Sequence, residues 1–295
     1  MTDTTASLLR RIKSGSDLQS VVRAMKAIAA SRITQYEVAV RALEDYARTV
    51  DLGLGLCLRE NPPQAPVATA TRHADAAVIG AVIFGSDQGL VGQFNQVLAD
   101  HALETLAALP GKAEVWAVGE RVRVLLADAD VTLMPPLAVP SSVNAIAPLV
   151  GQIELESQTR QVDRDDAPFY IFHNRPASHT SYEPFAQRLL PLDAQWHARH
   201  AAIGWPNGNL PEVMGGGSTT LRALIGEYLF ISLFRACAES LASENASRLA
   251  AMQRADKNIE ELLESDRATF HRLRQDGIDE ELFDVVAGYE ALGKP

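Results

Sequence analysis

The stretch that decides the fold is residues 218–276, which read STTLRALIGEYLFISLFRACAESLASENASRLAAMQRADKNIEELLESDRATFHRLRQD. This stretch contains no proline and a single glycine, Gly226. Because a proline in a helix interior costs about 3 kcal/mol, a proline-free stretch of this length can form one continuous helix. Apolar residues recur along it every three or four positions, from Leu224 to Leu273. The pattern predicts a long amphipathic helix, which exceeds about 100 Å if it continues to Leu292.

The amino-terminal flank has the same character. The chain has 15 prolines, and none precedes Pro62. All of them lie between Pro62 and Pro211 except Pro295, the last residue. A helix over residues 5–55 would be about 75 Å long. Its predicted apolar stripe, interrupted by Arg32, consists of Leu18, Val22, Met25, Ala29, Tyr36, Ala39, Leu43, Tyr46 and Val50.

Two helices of this length do not fit inside a compact domain, so we expect each to cover the apolar stripe of the other. The prediction is an antiparallel coiled-coil shaft formed by residues 1–60 and 212–295. Three polar residues fall on its predicted seam, and three further residues offer amino-terminal caps for the second helix. The seam residues are Arg32, Asn245 and Asp266, and the caps are Ser218, Thr219 and Thr220.

The middle of the chain, residues 70–205, alternates apolar runs with helical patterns. Such alternation predicts an α/β fold, here an inserted Rossmann-like domain with a mostly parallel sheet. The predicted strands are residues 76–84, 113–118, 131–134 and 167–173. The predicted helices are residues 93–109, 120–127 and 142–160. We interpret residues 185–192 as an extended segment and residues 196–205 as a loop.

Composition excludes several classes of protein. The 295 residues carry 27 Lys and Arg against 37 Asp and Glu, a formal net charge of −10, which gives no overall bias toward nucleic acid or anionic membranes. Two distant cysteines, Cys57 and Cys237, exclude a disulfide framework and suggest a reducing compartment. The amino terminus lacks the apolar core of a secretory signal, and the longest apolar run is about half a membrane span. We therefore expect a soluble protein.

A glycine-rich turn follows the first predicted strand, in residues 85–95, GSDQGLVGQFN. A strand-to-helix turn of this kind can hold a phosphate, but it has neither GxGxxG spacing nor the lysine of a P-loop. We interpret it as a structural turn, with Gly89 and Gly92 allowing close packing of helix on strand. Its candidate residues are Gly85, Asp87, Gly89 and Gly92.

No motif for catalysis or metal binding stands out. The histidines His173, His179, His197 and His200 lack HExxH spacing and a carboxylate at ligand spacing. We therefore expect no metal, no cofactor and no catalytic residue. A mechanical or assembly role fits best. The alternatives are a small α/β enzyme that oligomerises through coiled-coil arms, and a static coiled-coil scaffold.

Three stretches carry a resemblance to a known family. Residues 11–14 and 23–32 read RIKS and RAMKAIAASR, residues 86–95 read SDQGLVGQFN, and residues 243–252 read SENASRLAAM. The last is followed by Arg274-Gln275 and by IDEELFDVVAGYEA at residues 278–291. In order and spacing these resemble the gamma subunit of F-type ATP synthases along essentially the whole chain. Residues 110–211 match only in architecture.

The resemblance implies a rotor in the central stalk of an ATP synthase. Its partners would be the alpha and beta subunits of the catalytic head, the epsilon subunit and the membrane c-ring. The chain would sit peripherally on the cytoplasmic side of a bacterial inner membrane. The residues that the resemblance implies for beta-subunit contacts are Met25, Lys26, Arg274, Gln275 and Asp279, and those of the shaft tip are Gly288 and Tyr289.

The chain departs from the family pattern at four of these positions. Gln88 and Val91 stand where the family has Arg and Cys, and Tyr289 replaces an Ala. Asp279 replaces a Thr and, unlike Thr, cannot donate a hydrogen bond when ionised, so we expect a rearranged contact. These departures, with the net acidity, raise the alternative of a divergent second ATP synthase, such as the Na⁺-associated type.

Overall fold

The computed structural model describes residues 4–60, 78–161, 167–177, 181–207, 209, 211–213 and 217–292. The chain divides into two compact units: Ala30–Arg248 forms one, and Met1–Ala29 with Leu249–Pro295 forms the other. The division predicted from the sequence, residues 1–60 with 212–295 and residues 70–205, stays a prediction. Within the described ranges, none of the helices combines the length and apolar character that a membrane span requires.

Both predicted long helices are present. Helix α1 is Thr5–Glu60, and helix α6 is Gly217–Leu292. Helix α6 passes Gly277 without a break, which confirms the long carboxy-terminal helix. The proposed caps are wrong, because Ser218, Thr219 and Thr220 lie inside the helix that begins at Gly217.

In the unit that contains both chain ends, α1 and α6 run antiparallel. The Arg11 Nη2 atom lies 2.6 Å from Asp266 Oδ1, and a Cβ on Gly15 would lie 2.8 Å from Leu263 Cδ2. The buried apolar core of this unit is Val22, Met252, Ile259 and Leu263.

Val22 and Ala29 of the predicted stripe are buried in this unit and Met25 packs against its core, but two leucines of the predicted stripes are exposed. Leu18 is 53% exposed and Leu262 is 52% exposed, whereas Gly15 and Gln19 lie at the helix interface. The inward positions of the 3.5-residue repeat are occupied here by Gly15 and Gln19, which are not large apolar residues. A search for apolar residues alone therefore selects their exposed neighbours.

In the unit Ala30–Arg248, α1 buries Tyr36, Val50 and Leu54. The prediction that Arg32 interrupts the seam is wrong, because Arg32 is exposed and Ile33 takes the inward position. Tyr46 was also predicted on the seam but is 45% exposed. Its hydroxyl donates a hydrogen bond to Glu227 Oε2 at 2.6 Å. The other two predicted seam polars, Asn245 and Asp266, are buried in their respective units.

A five-stranded sheet lies between the long helices in sequence. Its strands are β1 Val78–Phe84, β2 Lys112–Val118, β3 Thr132–Leu133, β4 Phe169–Pro176 and β5 Tyr182–Leu190. Its helices are α2 Phe94–Ala107, α3 Glu120–Leu126 and α4 Ile146–Gln161, the last preceded by a 3₁₀ turn at Val143–Ala145. The strand order is β3-β2-β1-β4-β5, and only β5 is antiparallel to its neighbour. This confirms the predicted mostly parallel sheet; Ala76 and Ala77 of the first predicted strand lie outside the described residues.

The sheet separates two apolar layers. Val82 and Phe84 of β1 face α4 and α6, in a core that also contains Tyr36 of α1. Ile79 and Ile83 face α2 and α3. Because side chains alternate along a strand, a central strand buried on both sides reads as the continuous apolar run seen here.

One predicted loop is a helix. Residues 194–201 form α5, Ala194–Ala201, where residues 196–205 were expected to lack regular structure. Asp193 caps it, since its Oδ1 accepts a hydrogen bond from the Trp196 backbone N–H at 2.7 Å. Trp196 is 4% exposed and packs beside Val50 and Leu54. The segment was missed because its helix is short and buries a single large residue.

The seam register can be tested with two adjacent leucines. We expect Leu263→Ala to lower the free energy of unfolding by about 2–5 kcal/mol, because Leu263 is buried in a packed cluster. The matched control Leu262→Ala, at an exposed position, should change it by less than about 0.5 kcal/mol. Urea unfolding followed by circular dichroism measures both. Equal losses in the two variants would contradict this register.

Candidate functional site

The glycine-rich turn after β1 closes on itself and on the neighbouring strand loops. The Asn95 side chain accepts from the Ser86 backbone N–H at 2.9 Å and donates to Ser86 Oγ at 2.8 Å. The Asp87 carboxylate accepts from the backbone N–H groups of Glu120, at 3.0 Å, and Val139, at 3.1 Å. These groups are therefore occupied by the protein itself, which makes the turn a structural junction.

The four candidate residues of the turn have different roles. A Cβ on Gly85 would lie 2.4 Å from Val122 Cγ1, so the close approach of helix and strand occurs there. A Cβ on Gly89 would meet Arg121 only at 3.7 Å, an ordinary contact, so the predicted close packing at Gly89 is wrong. Gly92 has a φ of +56°, in the left-handed region that favours glycine, and Leu90, two residues earlier, also has a positive φ, 63°.

Helix α6 holds this turn at two points. Ser240 Oγ donates to the Phe84 carbonyl at 2.7 Å, and Ser247 Oγ donates to the Val91 carbonyl. Between them, Glu244 forms a buried ion pair with Arg248, at 2.6 Å. Burial raises the pKa of the Glu244 carboxyl, and the guanidinium opposes that shift. The structure thus brings together two of the three sequence motifs, which are about 150 residues apart in the chain.

Met25 and Lys26 are engaged within their own unit. Met25 is half-buried and packs against the cluster of Val22 and Met252. Lys26 Nζ lies 2.9 Å from Asp256 Oδ2, and Arg23 Nε lies 3.2 Å from Asp256 Oδ1. The hydrogen bond from Lys26 and then that from Arg23 hold the pKa of the Asp256 carboxyl below its usual range. Sequence reasoning missed Asp256, because nothing local marks a residue whose partners are 230 positions away.

The remaining candidates lie on the exposed end of α6. Arg274, Gln275, Asp279, Gly288 and Tyr289 are all exposed, and Tyr289 is 80% exposed. The sequence analysis did not single out the large apolar residues that are exposed between them. These are Ile278, Leu282, Phe283, Val285 and Val286. Apolar surface of this extent on one helix is typical of a protein–protein contact.

The histidines have structural partners. His197 Nδ1 and His200 Nδ1 each lie 2.8 Å from a carbonyl oxygen one helical turn earlier, and His173 Nε2 lies 2.9 Å from Glu239 Oε2. His179 lies outside the described residues. Across the described ranges, no group of three or more His, Cys, Asp or Glu side chains is arranged to hold a metal ion.

Fold and surfaces together define a class of protein: a subunit built on two long helices, with an α/β domain inserted between them and one helix end exposed for a partner. The model of the ATP synthase family matches residues 4–292. The chain is 30% identical to the ATP synthase gamma chain of Moorella thermoacetica, covering 97% of this chain and 98% of that protein. It is 27% identical to that of Syntrophus aciditrophicus, covering 97% of each.

Solved structures agree on the fold. The rotor of the Euglena gracilis mitochondrial ATP synthase matches with a TM-score of 0.63 at 16% identity, covering 93% of this chain and 98% of that one. The Tetrahymena thermophila mitochondrial central stalk and c-ring structure contains a chain that matches with a TM-score of 0.55 at 20% identity, covering 80% and 99%. The chain belongs to the ATP synthase gamma family, and its function is that of the central-stalk rotor.

The close approach at Gly85 makes a prediction about stability. Gly85→Ala should cost about 1–3 kcal/mol of unfolding free energy, because the added methyl group overlaps buried Val122. Gly151→Ala is the matched control: its Cβ would meet nothing within 4 Å, in a helix, so we expect a gain of about 0.5–1 kcal/mol. Thermal and urea unfolding measure both. A neutral Gly85→Ala variant would contradict the packing described here.

The ion cluster at Asp256 makes a prediction about pH. Because its folded pKa is lowered, this carboxylate stabilises the fold above its unfolded pKa of about 3.9, and the contribution is lost as pH falls through the folded pKa. Asp256→Asn should therefore lower the melting temperature at pH 7, and the difference from the parent should shrink steadily as the pH is lowered below about 3.9. Asp276→Asn, at an exposed position, is the control and should show little difference across the same pH range. A difference that does not shrink as the pH falls would indicate a packing defect instead.

Proposed function

We propose that this gamma subunit couples ion flow through a membrane ring to conformational change at the catalytic beta subunits of the head. The observation that carries the proposal is the end of α6, where every residue from Arg274 to Tyr289 is exposed along one continuous helix. A helix end that is exposed among the described residues and carries several large apolar side chains suits enclosure by another protein.

The partner at this end is the ring of alpha and beta subunits. Burying apolar surface contributes roughly 25 cal/mol per Å², so the exposed side chains of Phe283, Val285 and Tyr289 favour an apolar sleeve. Arg274 and Gln275 carry the polar contact with a beta-subunit loop, because a guanidinium and an amide are exposed there beside each other. Asp279 accepts hydrogen bonds in that contact, where a Thr would also donate.

The ion cluster of Arg23, Lys26 and Asp256 limits how Met25 and Lys26 can contact a beta subunit. With Lys26 bonded to Asp256 and Met25 packed inward, the beta-subunit lever would meet the outer face of this cluster. Lys26 is 37% exposed, so part of its side chain remains available to a partner. Met25 acts through the packing of the helix pair.

The epsilon subunit and the c-ring bind the α/β domain. The structural match to a Tetrahymena central stalk and c-ring assembly and to a Euglena rotor supports this arrangement. The coupling ion is H⁺ or Na⁺, and the chain is peripheral to the cytoplasmic face of a bacterial inner membrane. The chain holds no cofactor and supplies no catalytic residue; it biases the beta subunits among conformations by differential contact.

Torque passes from the α/β domain to α6 through the turn after β1. Ser240 and Ser247 lie two helical turns apart on α6; Ser240 bonds the Phe84 carbonyl just before the glycine-rich turn, and Ser247 bonds the Val91 carbonyl within it. Two attachment points on one helix resist rotation of the helix about its axis, which a single point does not.

The proposal is tested with the chain co-expressed in its complete complex. Arg274→Ala should leave assembly intact and slow ATP hydrolysis about tenfold, because losing a charge-assisted hydrogen bond costs about 1.5–3 kcal/mol. Arg267→Ala, an exposed arginine of the same helix, is the control and should retain the parent rate. Hydrolysis and ATP-driven ion pumping are measured on membrane vesicles.

Removing residues 277–295 extends the test. The truncated chain should still bind the α/β-domain partners and should lose most of the coupling between hydrolysis and pumping. Full coupling in both the truncation and Arg274→Ala would rule out a role for this helix end. A chain that purifies alone, folded and without head subunits, would argue against the rotor assignment of partners.

A further inference from the structure

A cavity of about 300 Å³ lies inside the unit Ala30–Arg248, and no step in the rotor function uses it. Strands β4 and β5 form one side of it, and one stripe from each long helix forms the other. On α6 the stripe advances by three or four residues at a time, from Tyr228 through Ser232 and Arg235 to Glu239. The volume is at the lower end of the range for pockets that bind small molecules.

Strand alternation explains why this cavity is polar. Phe169 and Ile171 of β4 point toward α6 and are buried in the apolar core. The next two residues on the same face are His173 and Arg175, and both line the cavity. Along this face of β4, apolar core residues are therefore followed by polar residues that line the cavity. His173 is 3% exposed, and its Nδ1 has no hydrogen-bond partner.

Most charged groups at the cavity have a partner in the chain. Arg175 pairs with Glu183, and its guanidinium carbon lies 4.4 Å from the centre of the Phe185 ring. The two acidic wall residues each face an imidazole. Glu239 Oε2 lies 2.9 Å from His173 Nε2, and Asp51 Oδ1 lies 3.6 Å from His200 Nε2.

Arg235 is different. Its Nε is buried with no hydrogen-bond partner, and among the described residues its guanidinium makes neither an ion pair nor a hydrogen bond. A guanidinium keeps its charge at any ordinary pH and presents a planar set of donors that matches a carboxylate or a phosphate. The side chain as a whole is part-buried and lines the cavity, so its unpaired charge favours a counter-ion from outside the chain.

We propose that this cavity binds the oxyanion group of a small molecule, a carboxylate or a phosphate, through Arg235. Asp51 and Glu239 repel highly charged ligands, so the ligand carries one oxyanion group, or two at most, and no triphosphate. Phe185 and Ile231 give the cavity an apolar wall for the remainder of the molecule. The site belongs to the isolated chain and does not depend on contact with the catalytic head.

The test uses the purified full-length chain and two probes, inorganic phosphate and succinate, each titrated calorimetrically against sodium chloride of equal ionic strength. We expect saturable binding of at least one probe at one site per chain, with a raised melting temperature. Phosphate alone would identify a phosphate site, and succinate alone a carboxylate site. ATP should bind no more tightly than the better probe. Absence of saturable binding by both probes would overturn the proposal.

Variants assign the site to Arg235. Arg235→Gln should weaken binding at least about tenfold, whereas Arg48→Gln, at a side chain 74% exposed outside the cavity, should leave it unchanged. Gln187→Glu places a negative charge on the cavity wall and should weaken binding similarly, which keeps the test decisive if Arg235→Gln does not fold. Unchanged affinity in Gln187→Glu, or in a folded Arg235→Gln, would place the probe elsewhere. Since binding is measured without the other subunits, its failure is distinguishable from failure of the rotor assembly.

Discussion

The structure of the α/β unit depends on the burial of one polar segment of α6, Ser240–Arg248, against the first strand and its turn. Six of its nine side chains are polar, and all six are less than 9% exposed. Buried polar groups cost free energy unless they are bonded, and most of these are: Ser240 and Ser247 bond the turn, and Glu244 bonds Arg248. The partners of Ser240 and Ser247 lie on β1 and in its turn, so these two bonds form in only one alignment of helix and sheet. Apolar packing alone would tolerate sliding, whereas these bonds specify one position of α6 along β1 and its turn.

That alignment gives the glycine-rich turn its function in this protein. The turn looks like a phosphate-binding loop because it follows a buried parallel strand and precedes a helix. Its polar groups are directed inward, however, since Asn95 and Asp87 satisfy backbone donors of the turn and of neighbouring loops. A loop that binds phosphate must leave its backbone donors free, whereas here the Ser86 N–H is bonded to Asn95 and the carbonyls of Phe84 and Val91 are bonded to α6. The glycine-rich turn therefore has a structural role in this chain and not a phosphate-binding one.

In the unit formed by the two chain ends, the polar contacts differ in kind. The helix pair there has a small apolar core, and Asp256 collects hydrogen bonds from Gln19, Arg23 and Lys26 across the interface. Exposed ion pairs contribute little individually, but a carboxylate shared by several donors fixes the register of two helices whose seam contains Gly15 and Gln19. Two of the residues that the family resemblance implies for partner contacts, Met25 and Lys26, therefore also hold this unit together.

The sequence by itself determined the element types and their order, because the signals involved are local. Absence of proline permits long helices, and alternating apolar runs indicate strands and helices whatever they pack against. The motifs identified the family for the same reason. Only the tertiary structure decided the seam register, the helix at Ala194–Ala201, the close approach at Gly85 and the unpaired Arg235 in its cavity. Each of these depends on which residues from distant parts of the chain meet. Whether Leu262 or Leu263 is buried is set by the helix opposite. The Arg235 guanidinium is unpaired within the described part of the chain because no carboxylate there lies within bonding distance of it.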